Sequence, residues 1–126
     1  MPRAFKPRRE ESAREDRIAN DIIVDAYSES ERALSWYYYL QQRLRFPFTA
    51  KIHYVGADSP LRQGSIVQVI GLAKEDLCMS QIFVKVIIGH RSTPVPLWQL
   101  TAMADDEDTL QAASDWQYWM ERGYCY

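Results

Sequence analysis

Asp105, Asp106, Glu107 and Asp108 stand in one unbroken run, and no other stretch of this 126-residue chain offers a hard cation so many adjacent carboxylates. Calcium takes about six to eight oxygens from carboxylates, amides, carbonyls and water in flexible geometry, so its chemistry fits such a run. The segment DDEDTLQAASDW is nevertheless not an EF-hand. Its sixth position from Asp105 is Leu110, where that loop needs glycine, and its twelfth is Trp116, where a bidentate glutamate belongs. A calcium site built on these acids must draw on separate segments. The same residues also suit a solvated helix start, where acids meet the positive end of the helix dipole.

Other chemistry finds less support. His53, His90 and Cys78 are the reactive side chains of the middle of the chain, but no spacing links them as nucleophile, base and orienter. There is no GxSxG, P-loop, GxGxxG or HExxH. Two isolated histidines and two isolated cysteines lack the paired spacing of a zinc site. An enzyme is therefore not expected. Arg43, Arg45 and Lys51 alternate with Phe46 and Phe48, a pattern small barrels use to stack single strands. The same phenylalanines also suit a core position at a helix-to-strand junction. Phosphate contacts dominate nucleic-acid affinity, and the charge of the chain opposes them.

That charge is −2 overall, but the first nine residues carry four basic side chains and no acid, leaving eleven basic against seventeen acidic residues in the rest. Glu10 to Glu31 holds eight acids against two arginines, and Ser92 to Glu121 holds six acids with no lysine or arginine. Such a body attracts cations and repels phosphate backbones. Hydrophobic content of 47% and charged content of 25% are those of a soluble protein, and no apolar run approaches the ~18 residues of a membrane span. The basic start lacks an apolar segment and carries two prolines, so residues 1–9 read as a flexible arm and residues 10–126 as a single globular domain. Cys78 and Cys125 make no disulfide framework, which suits a reducing cytoplasm.

Around these residues the elements follow from local signals. Ser12 with Glu15, and Ser28 with Glu31, match the capping box, predicting helices over about 13–26 and 29–44. Ile18, Ala19, Ile22, Ile23 and Ala26 form the apolar stripe of the first, and Ala33, Trp36, Tyr37, Leu40 and Leu44 that of the second. From Phe48 the period changes to that of strands, in FTAKIHYV, SIVQVIGLA, QIFVKVIIGHR and VPLWQL. Pro94 and Pro96 suit an edge strand, because proline cannot donate to the ladder. A third helix starts at the acidic run and reaches about Arg122, with Gly123 as its stop and Leu110, Ala113, Trp116, Trp119 and Met120 on its apolar side. The fold class is α+β: a small antiparallel sheet or SH3-like barrel of three to five strands, packed with two N-terminal helices and one C-terminal helix.

Trp36, Tyr37, Tyr38 and Tyr39 stand in a row and put rings on every side of one helical turn, so that helix is covered on more than one face. Read together, VDAYSESERALSWYYYL, FPFTA, VPLWQL and DWQYWMERGY resemble the CcbP-type calcium-binding proteins, a small bacterial family best known from cyanobacteria. The match runs over about residues 17–124, in the family's order. The resemblance implies a compact α+β protein without an EF-hand that binds calcium through surface carboxylates and acts as a cytoplasmic calcium buffer, with a link to heterocyst differentiation. Asp115, inside the DWQYW match, is the acid carried over most directly. Where members commonly have an acidic pair after WYYYL, this chain has Gln41 and Gln42. An amide offers one neutral oxygen without the charge that sets calcium affinity. Gln42 shares a helix face with Tyr38 and Ser35, so that face still supplies oxygens.

The expected function is thus a cytoplasmic calcium buffer or signalling protein of reduced affinity, with calcium as its ion and Gln41, Gln42, Asp105, Asp106, Asp108 and Asp115 as its candidate ligands. The alternative is a metal-free interaction module of the same fold that binds a protein or single-stranded nucleic acid.

Overall fold

A computed structural model of the chain describes residues 9–56 and 61–124. Most of the expected basic arm, residues 1–8, and Cys125 lie outside the described residues.

The first helix, α1, spans Ser12–Arg17 and widens into a π-helical turn over Ile18–Ile22. The expected capping box at Ser12 does not form. Glu11 holds the cap position without a side-chain cap bond, and the Glu15 carboxylate accepts the Tyr118 hydroxyl instead, at 2.6 Å. A partner from the far end of the chain has displaced a local one. The helix also stops short of residue 26: Ile23 leaves helical geometry and Asp25 sits at φ 61°, a conformation that aspartate tolerates better than most residues. Ile18 and Ile22 are buried, Ile23 and Ala26 are half-buried, and Ala19 is exposed.

The second helix, α2, spans Glu29–Arg43 and begins as expected, with Ser28 Oγ accepting from the Glu31 amide at 3.1 Å. Its whole predicted stripe, Ala33, Trp36, Tyr37 and Leu40 with Leu44 just beyond, is buried.

Five strands follow: β1 Phe48–Ile52, β2 Ile66–Leu72, β3 Phe83–Ile88, β4 Arg91–Pro96 and β5 Leu100–Met103. All neighbours are antiparallel, in the order β4-β3-β2-β1-β5. Consecutive strands make a meander, and β5 crosses back to pair with β1. Of the two expected forms the sheet is the one observed: β4 and β5 are its opposite edges, with no ladder between them among the described residues, so the barrel is not closed. Pro94 and Pro96 do lie on an edge strand. VPLWQL, expected as one strand, is instead the end of β4, a 3-10 turn over Leu97–Gln99 and the first residue of β5. The turn carries the chain from one edge of the sheet to the other, which a continuous strand cannot do.

The third helix, α3, spans Glu107–Glu121, with the Asp106 side chain accepting from the Thr109 amide at 2.9 Å. It packs on β5, on the turn before it and on α2. Cover on several sides changes its buried set. Ala113 and Trp116 are buried and Trp119 and Met120 half-buried as expected, but Leu110 is exposed while Asp115 and Tyr118 are fully enclosed. The inward side chains of the sheet, including Phe48, Val69, Val84 and Leu100, join those of α2 and α3 in one core cluster. Trp36 and Trp116 meet at its centre, ring centroids 4.9 Å apart in an edge-on arrangement.

Candidate metal centre

The expected ligands divide among three places. Asp115 is the most constrained. Burying a carboxylate is costly unless it is paired and hydrogen-bonded, and α1 meets both needs. Arg14 Nη1 donates to Asp115 Oδ1 at 2.8 Å, Arg17 Nη2 to the same oxygen at 2.6 Å and Arg17 Nε to Oδ2 at 3.1 Å. The contact with Asp115 holds the Arg17 guanidinium above its ordinary pKa. Asp115 is 0% exposed, so as placed it has no open side for an ion. Its role here is to fasten α1 to α3.

The acidic run lies at the start of α3, against the end of α2. Asp106 is held below the usual carboxylate range, first by its hydrogen bonds with Thr109. Arg45 Nε is 3.8 Å from Asp106, Arg45 Nη2 is 3.7 Å from Asp108, and Arg43 Nη1 is 3.9 Å from Asp108. Asp105 is exposed and, with Asp106, lines an open cleft of about 340 Å³ that Arg45, Phe46, Phe48 and Gln68 also line. The same geometry answers the nucleic-acid pattern. Phe48 is buried, Phe46 is half-buried against it at 5.7 Å, and Arg43 and Arg45 face acids, so the stretch presents no free ring flanked by free cations.

Gln41 and Gln42 are exposed on α2. Helical spacing puts Arg43 on the face of Tyr39, over whose ring its guanidinium lies at 5.3 Å, whereas Gln41 shares the face of Tyr37 and Tyr38. That second face is directed at the 3-10 turn Glu75–Cys78. Tyr37 donates to the Ala73 carbonyl at 2.8 Å and Tyr38 to Glu75 Oε2 at 2.7 Å. The hydrogen bond to Glu75 raises the Tyr38 pKa, and burial raises that of Tyr37. Spacing thus places Gln41 on the helix face that docks on the turn carrying Glu75 and Asp76, and Gln42, four residues after Tyr38 and three after Tyr39, at the border between that face and the face of Arg43. Glu75 and Asp76 escaped the sequence reading; two adjacent acids in the LAKEDLC connection were the available signal, but their docking on α2 is a tertiary fact.

His53 and His90 are exposed and Cys78 is buried, its thiol pKa raised by burial. His53 Nε2 has Glu121 at 3.8 Å. Among the described residues no three His, Cys, Asp or Glu side chains converge to hold a metal.

Residues 16–120 match the profile of the calcium-binding family Calci_bind_CcbP, described as calcium binding. The chain belongs to the CcbP family of calcium-binding proteins. Two solved structures share its fold. One is the crystal structure of Anabaena CcbP, at 38% identity and a TM-score of 0.81, covering 94% of this chain and 97% of that one. The other is a calcium binding protein in the calcium-binding form, also at 38% identity and a TM-score of 0.81, covering 92% of this chain and 95% of that one. No curated protein sequence matches the chain significantly. The CcbP fold is thus an α+β arrangement of three helices on an open five-stranded antiparallel sheet.

Proposed function

We propose that this protein binds calcium without an EF-hand and serves as a non-catalytic calcium buffer or signalling protein of the cytoplasm. The observation that carries this reading is the likeness, at 38% identity over 92% of the chain, to a protein solved in its calcium-binding form. The favoured ligands are Glu75 and Asp76, with the Gln41 side chain and the Tyr38 hydroxyl supplying neutral oxygens from α2. Among the described residues these two acids carry no ion pair, whereas Asp106 and Asp108 face arginines and Asp115 is saturated by them. Asp105, Asp106 and Asp108, with Gln42 on the neighbouring face of α2, form a second, weaker locus. There an ion must displace Arg43 and Arg45 before it gains both carboxylates.

Calcium affinity follows the number of charged ligands and the rigidity of the site. Two carboxylates with neutral oxygens and water belong at the weak end, with Kd roughly 10⁻⁴–10⁻³ M. Calorimetric titration with calcium at physiological salt, with magnesium as the control, tests the reading. A folded-state ligand must also raise the melting temperature. No heat and no shift at millimolar calcium would sink it.

The absence of three converging acids among the described residues favours one second reading, a CcbP fold working as a metal-free interaction module. A protein inert to calcium that still engages a partner through its exposed surfaces would answer to that description.

A further inference from the structure

The charge of the molecule is divided by element. The five strands contain Lys51, Lys85 and Arg91 but no Asp or Glu. On the face turned away from the core, register aligns Met103, Thr49, Gln68, Ile87 and Ser92 across all five strands. A second row pairs Thr101, Lys51 and Ile66. Antiparallel sheets ordinarily make such a face polar, yet here Ile66 is 55% and Met103 52% exposed, with Ile70 and Ile87 exposed beside them. The stem of Lys85 lies along Gly71, where an added Cβ would meet its Cε at 3.4 Å, so this lysine stretches over the sheet rather than away from it. The face carries exposed aliphatic side chains beside lysines and no acid.

The connection from the π-helical turn to α2 is its counterpart. Val24 is 53% and Tyr27 82% exposed there, surrounded in sequence by the exposed acids Asp21, Asp25, Glu29 and Glu31. The Tyr27 hydroxyl donates to Asp25 at 3.3 Å, which orients the ring within its acidic surroundings. Val24 and Tyr27 are thus two large side chains held out to water with acids on either side of them along the chain.

We propose that the segment Asp21–Glu31 of one copy, centred on the connection before α2, docks on the outer sheet face of a second copy. Val24 and Tyr27 then cover Ile66, Ile70 and Ile87, while Asp25 and Glu29 meet Lys51 and Lys85. One contact disposes of both exposed patches and pairs opposite charges. A nucleic acid is a poorer occupant, because the aligned rows contain no aromatic ring on which a base can stack. A lipid surface leaves the acidic loop unexplained. Because the two patches differ, the contact is heterologous and propagates head to tail. A loop on a sheet face covers less than ~1,200 Å², the size of transient contacts, so the association is weak and salt-sensitive.

Sedimentation velocity on the full chain in EDTA tests this apart from calcium. The mean mass should rise above the monomer with concentration at low salt and return to it at high salt. Val24→Ser with Tyr27→Ser should abolish the rise, as should Ile66→Ser with Ile87→Ser; all four positions are exposed, and circular dichroism checks that the variants fold. Mixed together, the two double variants retain one intact loop and one intact sheet face, so they should form a one-to-one dimer and nothing larger. Lys85→Glu should weaken association about tenfold. A monomeric wild type at all concentrations, association by either double variant alone, or a monomeric mixture would overturn the proposal. So would binding of the monomer to phosphatidylglycerol vesicles through the sheet face in place of self-association.

Discussion

Arg17 Nη2 stands 2.6 Å from Asp115 Oδ1, and Arg14 reaches the same oxygen at 2.8 Å from one turn earlier on α1. The acid that the family resemblance singled out is therefore the fastening of the N-terminal helix. α1 has no buried residue of its own, so this ion pair and the Tyr118 contacts hold most of its length in place.

Asp115→Asn should accordingly be a stability variant. It keeps the shape but leaves two guanidiniums facing an amide. Breaking a buried pair by removing one partner costs about 3–5 kcal/mol, and the loss here should lie near about 3 because Arg14 and Arg17 retain 19% and 30% side-chain exposure and rehydrate. Chemical denaturation measures it. A change below about 0.5 kcal/mol would mean that the anchor contributes little.

Tyr118 should set the alkaline limit of stability. Its hydroxyl donates to Glu15 at 2.6 Å and accepts from the Glu11 amide at 3.0 Å, and burial followed by the Glu15 contact raises its pKa above the usual tyrosine value. A raised folded pKa gives stability that is complete below the unfolded value near ~10 and is lost as pH rises through the folded one. Melting temperature should thus fall above about pH 10. Tyr118→Phe should cost roughly 1–3 kcal/mol at neutral pH and make the alkaline decline shallower.

Asp106 has the opposite sign. Its folded pKa is lowered by hydrogen bonds with Thr109, so its contribution is present above the unfolded value near ~3.9 and disappears as pH falls below it. Acid titration of stability should show wild type losing an increment below about pH 4. Asp106→Asn keeps a capping oxygen and should lack that increment, whereas Asp106→Ala should be less stable across the whole range.

Calcium affinity should separate the two candidate loci. Glu75→Gln with Asp76→Asn should raise the calcium Kd by about tenfold or more, and Gln41→Glu, which returns a charge to that face, should lower it by a similar factor. Arg43→Gln with Arg45→Gln should leave affinity unchanged if Glu75 and Asp76 hold the ion. Tighter binding in that last variant would move the site to Asp106 and Asp108.

The sequence by itself determined the elements whose causes are local. One helical face buries Ala33, Trp36, Tyr37, Leu40 and Leu44, and that spacing is visible without any partner. Ser28 and Asp106 cap their helices through residues three positions away. The aromatic block and its flanking motifs also sufficed to identify the family, which the match over residues 16–120 bears out. Tertiary structure decided what depends on distant partners. It made Glu11 the cap position of α1, because Tyr118 takes the Glu15 side chain. It broke VPLWQL into strand, turn and strand, because β5 has to cross to β1. It docked Tyr38 of α2 on Glu75, drew Arg43 and Arg45 to the α3 acids, and enclosed Asp115 between arginines about a hundred residues away in the chain. A carboxylate has the same composition whether water, calcium or guanidinium surrounds it, and only the packing of distant segments chooses among them.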